Sequence, residues 1–90
     1  MTETTDYNKL ISEIVKNQID ILGPDMAVRK AKSIAGLVIN EKGEVESLDG
    51  DPQQILQQLV DQYIALSGAI VKNVLGPVFA KYPTIKLDLK

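Results

Sequence analysis

Apolar side chains recur every three or four residues through residues 7–22 and again through 55–74, and a chain with that spacing shelters them from water by winding them onto one face of a helix. In the first stretch the stripe is Tyr7, Leu10, Ile11, Ile14, Val15, Ile19 and Leu22, with Glu13, Lys16, Asn17 and Asp20 between them. Gly23 is placed to end this helix, because glycine takes a left-handed cap cheaply. Pro24 then opens a second helix where its missing N–H costs nothing. That second helix carries Ala27, Val28, Ala31, Ile34 and Ala35 inward and is expected to close at Gly36, with Asp25 near its positive end and Arg29, Lys30 and Lys32 turned outward.

After Gly36 the period changes. Leu37-Val38-Ile39 and Val45-Glu46-Ser47-Leu48 flank Asn40-Glu41-Lys42-Gly43, which suits a β-hairpin with a three-residue loop and Gly43 in the left-handed bulge position. Asp49-Gly50-Asp51-Pro52 reads as a turn into a helix start, with Asp51 as N-cap, Pro52 at the first helical position and Gln54 completing a capping box. Ile55, Leu56, Leu59, Val60, Tyr63, Leu66, Ile70, Val71 and Val74 make this the longest helix, broken or kinked at Gly76-Pro77. Beyond Pro83, Ile85, Leu87 and Leu89 alternate with Lys86, Asp88 and Lys90, the period of a strand with one buried face.

The expected fold is therefore mainly helical α+β, in the order α-α-β-β-α-β, with the last strand joining the hairpin in a small three-stranded sheet packed on the helices. Residues 1–6 read as a disordered tail and 7–90 as one globular domain. Ile14-Val15-Lys16-Asn17 with Leu22-Gly23-Pro24 is echoed by Ile70-Val71-Lys72-Asn73 with Leu75-Gly76-Pro77. The echo suggests two α-α-β halves as a pseudo-repeat, weighed against chance matches around a common helix punctuator.

The chain has no histidine and no cysteine. That removes the usual general base near neutral pH, the thiolate nucleophile and the common zinc ligands, and no disulfide framework is available. Ser67 and Lys72 lie five apart on a helix and point away from one another, so they form no Ser-Lys pair. Glu46, Asp49 and Asp51 match no calcium loop and are better read as turn and cap chemistry. Neither Gly-Pro pair has the lysine and glycines of a phosphate cradle. No catalytic, cofactor or metal site is expected.

Ten basic residues against twelve acidic ones leave a net charge of −2, which argues against nucleic acid as a partner. The polar opening from Met1 to Asn8 lacks a secretory leader, and Lys72, Asn73 and the Gly-Pro pair interrupt the most apolar stretch, so a cytoplasmic protein without a transmembrane segment is expected. Arg29, Lys30 and Lys32 are candidates for an anionic partner, with helix-end neutralisation as the plainer reading. Ala65, Gly68 and Ala69, with Ser67, form a small-residue patch that a second helix can approach closely, within the chain or in a second copy. A non-catalytic module acting by protein–protein contact, as a homodimer or on another protein, fits these features. The alternative is an apolar small-molecule binder whose pocket is closed by Tyr63, Phe79 or Tyr82, residues that equally serve to fill the core.

Overall fold

A computed structural model describes residues 4–82 and Ile85. Its elements are α1 (Thr4–Leu22), α2 (Pro24–Lys32), β1 (Leu37–Ile39), β2 (Val45–Leu48), α3 (Pro52–Ser67) and α4 (Ala69–Ala80). The chain is a small, mainly helical α+β protein in which α1 packs against α2, α3, α4 and β2. Leu10, Ile11, Ile14 and Val15 of α1 meet Leu56, Leu59, Val60 and Tyr63 of α3 in one core with Leu37, Ile39 and Leu75.

The start of α1 lies at Thr4, within the stretch read as a tail; Asp6 in its first turn complements the positive helix end. Gly23 ends the helix with φ +90 and its N–H on the Ile19 carbonyl at 2.9 Å, and Pro24 starts α2. Helix α2 stops at Lys32, short of Gly36, where the Ser33 hydroxyl donates to the Lys30 carbonyl at 2.6 Å. Ala27, Val28, Ala31 and Ile34 are buried as expected. Ala35 is exposed, because the chain has already left the helix there.

The hairpin forms as its loop chemistry dictates. Asn40 N–H donates to Glu44 O at 2.9 Å and Gly43 N–H to Asn40 O at 3.0 Å, while the Asn40 side-chain oxygen accepts from the N–H groups of Lys42 and Glu44. Gly43 holds φ +87, and a Cβ there would come 3.0 Å from Val15 Cγ1 and 3.1 Å from Ile19 Cδ1, so the loop lies flat on α1. Strands β1 and β2 pair antiparallel as Leu37 with Leu48, Val38 with Ser47 and Ile39 with Val45, with an irregularity after Val38.

Among the described residues the sheet has two strands. Ile85 is buried in a bend, its N–H on the Tyr82 carbonyl at 3.0 Å, while residues 86–90 of the expected third strand lie outside the described residues.

The long helix is interrupted at a different place from the one its sequence marks. Gly68, with φ +64 and ψ −136, separates α3 from α4, and α4 runs unbroken through Gly76-Pro77. Pro77 and Asn73, whose carbonyl loses its helical donor at Pro77, are both exposed, so water can satisfy that carbonyl and the usual cost of an interior proline is reduced. The two Leu-Gly-Pro segments are therefore not structural equivalents: one separates two helices and the other lies inside one. The pseudo-repeat has no counterpart among the described elements.

Tyr63 is the largest fully buried side chain, and its hydroxyl donates to the Ala27 carbonyl at 2.8 Å. Burial pushes this phenol well above the usual tyrosine range. Since the folded pKa is raised, the unfolded chain ionises first as pH climbs past about 10, so the contribution is whole below that pH and is lost above it. Tyr63→Phe is expected to cost about 1–2 kcal/mol at neutral pH and to flatten the alkaline fall in stability, read from urea melts at pH 7 and pH 11. An unchanged alkaline limb would mean that Tyr63 is not the group responsible.

Candidate functional site

Two hydrogen bonds fix how the helices lie. The Tyr7 hydroxyl at the start of α1 donates to Gln53 Oε1 at the start of α3, at 2.9 Å, and Tyr63 near the end of α3 reaches Ala27 in the first turn of α2, immediately after α1 ends. Helices α1 and α3 therefore run in the same sense. The end of α1, the start of α2, the end of α3 and the start of α4 share one end of the molecule.

Among the described residues, that end carries most of the large apolar side chains left in water. Ile21 is 38% exposed, Met26 42%, Leu66 40% and Ile70 55%; Val38, on the hairpin, stands apart from them. Leu66 lies one turn beyond Tyr63 on α3, and Ile70 follows the corner. Ala65, also exposed, lies next to Leu66. Gly68 is half-buried in the corner itself, where an added Cβ would meet nothing within 4 Å, so its backbone angles and not close helix approach require glycine. The side chains of Ala69, Ser67 and Lys72 lie outside the described part of the structure. Among the described residues, the large apolar side chains exposed at this corner are Leu66 and Ile70, two residues that the periodicity assigned to the core.

The basic residues divide. Arg29 and Lys32 are exposed, three apart in the last turn of α2, and line an open groove of about 530 Å³ with Pro24, Asp25, Val28 and Glu41. Lys30 is half-buried and outside that lining. Asp25 and Glu41 place negative charge in the groove beside the two cations.

A second groove, of about 410 Å³, lies between α1 and the hairpin and is reached by Tyr82. The Ser12 hydroxyl accepts from Val45 N–H at 3.1 Å, Lys16 faces Glu44 at 3.9 Å, and Lys81 binds Glu13 Oε1 at 3.4 Å. Asn8 Oδ1 and Glu13 Oε2 are buried without a hydrogen-bond partner among the described residues. Burial raises the Tyr82 phenol pKa, with the Glu13 carboxylate adding to the rise. No sequence signal marks this groove, because it exists only once the hairpin docks on α1.

Gln18 is the polar residue most completely enclosed. It is 0% exposed, and among the described residues neither its amide nitrogen nor its oxygen has a hydrogen-bond partner. The signal was present in the spacing: Gln18 lies four residues after Ile14 and three after Val15, in the centre of the core-facing stripe of α1.

Of the carboxylates near the second turn, Asp51 caps α3, its Oδ1 accepting from Gln53 N–H at 3.1 Å. Among the described residues no three acidic side chains gather as metal ligands. Phe79 and Tyr82 pack half-buried against the core, and no described helix is long and apolar enough to cross a membrane. Comparison with protein-family models, with curated proteins and with solved structures finds no match.

Proposed function

We propose that this chain is a non-catalytic contact module that pairs with a second copy of itself through the α3–α4 corner. The observation that carries the reading is the exposure of Leu66 and Ile70, at 40% and 55%, on the same end as Ile21 and Met26. Large apolar side chains grouped on a small protein mark association surfaces, and the centre of such a surface is depleted in charge. A self-complementary surface meets its own copy across a two-fold axis, with the exposed Asp20 and Asp25 beside Ile21 and Met26 placed at its rim. Arg29, Lys30 and Lys32 offset the negative end of α2 and keep that flank solvated.

Sedimentation equilibrium of the 90-residue chain should give a mass that rises from monomer to dimer across the micromolar range. The double substitution Leu66→Asp with Ile70→Asp should weaken pairing by about 100-fold or more while leaving the far-ultraviolet helical signal in place. A wild-type chain that stays monomeric up to about millimolar concentration, where a contact worth only about 4 kcal/mol would already show, excludes this function.

A further inference from the structure

The α3–α4 corner turns on a single residue whose backbone conformation only glycine adopts comfortably. Gly68 has φ +64 and ψ −136, next to the region of the map that is almost closed to side chains. No loop separates the helices, since α3 ends at Ser67 and α4 begins at Ala69. Yet the sequence on the two sides of the corner is written as one helix. Tyr63, Leu66, Ile70 and Val74 follow one another at three and four residues, and Leu66 and Ile70, the two nearest the corner, are the members that the bend leaves exposed. The bend is thus locally disfavoured and is held by what α4 gains at its far end, where Leu75 and Val78 are buried in the core and Lys81 reaches Glu13 of α1.

We propose that Gly68 is an exchange hinge: straightening it joins α3 and α4 into one helix and hands α4 to the core of a second copy of this chain, whose α4 is returned in the same way. A continuous helix over 52–80 is about 43 Å long at the standard rise, against a longest molecular dimension of 33 Å. In that state α4 projects beyond its own core, and Leu75 and Val78 are wet unless another molecule receives them. The receiving site needs no new complementarity. It is the surface of α1, α3 and Glu13 that α4 already covers within one chain, and short strained connections are the ones that favour such exchange. Leu66 and Ile70 then lie where the two straightened helices cross. This inference rests on the reading of the chain as self-associating and names the route by which it pairs.

Gly68→Ala tests it. Alanine is strained in the bend and favoured in the straight helix, and both effects count once per chain, so dimerisation should tighten on the order of a thousand-fold. Inserting Gly-Ser-Gly after Gly68 relaxes the bend and should weaken it. Because the chain has no cysteine, Glu13→Cys with Lys81→Cys gives a clean report when treated with a short bis-maleimide. In Gly68→Ala the link should join two chains, and in the insertion variant it should close within one.

A Gly68→Ala dimer cross-linked only within each chain would support side-by-side pairing through the corner and overturn the exchange. A monomeric, folded Gly68→Ala variant overturns the exchange as well, and so does one that loses its helical signal, since the straightened dimer accommodates alanine. Wild-type monomer at all concentrations, with an inter-chain link in Gly68→Ala, upholds the hinge and removes the proposed function of the native chain.

Discussion

Replacing Gly36 with alanine is expected to remove about 3–5 kcal/mol of stability, enough to leave a domain of this size close to its folding threshold. Gly36 holds φ +85 at the base of the hairpin, and a Cβ built there runs into the Asp49 carbonyl oxygen and comes within 3.1 Å of Ile55 Cδ1. Neither neighbour has an easy retreat. The Asp49 N–H donates to the Gly36 carbonyl at 2.7 Å, so the two backbones clasp one another, and Ile55 is buried against the core from the first turn of α3. The strain of a side chain at positive φ, about 1–3 kcal/mol, adds to an overpacking cost of similar size. Gly50→Ala is the matched comparison. Its φ is +109, but nothing lies within 4 Å of the added carbon, so the backbone term alone, about 1–3 kcal/mol, should appear. Urea midpoints for the two variants measure the difference. Equal midpoints would mean that the hairpin base is not clamped by the Gly36 and Asp49 backbones.

The parts of this fold that the sequence makes legible are those decided within one turn of chain. Gly23-Pro24, the Asn40-to-Gly43 loop and the Asp51-Pro52 start each satisfy their own backbone groups with neighbouring atoms, so residue type alone specifies them. The α3–α4 corner was not legible in that way. Gly76-Pro77 is the stronger local breaker, yet Pro77 falls on the wet side of α4, whereas Gly68 is an inconspicuous glycine inside an uninterrupted apolar stripe. The choice between them is made by tertiary packing of Leu75 and Val78, which no local pattern encodes. The same packing decides the surface: small size marks Ala65, Gly68 and Ala69 in the sequence, whereas the bend brings Leu66 and Ile70 out of the stripe and into water.

Gln18→Leu should make the protein more stable by about 2–4 kcal/mol, the reverse of what most core substitutions do. An amide that is stripped of water and given no partner costs about 1–3 kcal/mol for each unpaired group, and Gln18 holds both its nitrogen and its oxygen in that condition. Leucine is close to glutamine in volume, lies in the same rotamer wells of a helix, and extends a stripe in which Ile11, Ile14 and Val15 are already fully buried. Gln18→Glu is the opposing arm. It puts a carboxylate where the amide already lacks partners, so at neutral pH it should cost several kcal/mol and recover part of that loss near pH 4, where the buried acid is neutral and desolvation has raised its pKa. Thermal and urea melts of both variants decide the matter. A loss of stability in Gln18→Leu would mean that the amide is satisfied in solution by a group or an ordered water that compensates it, and the stripe of α1 would then have to be read as built around a polar centre.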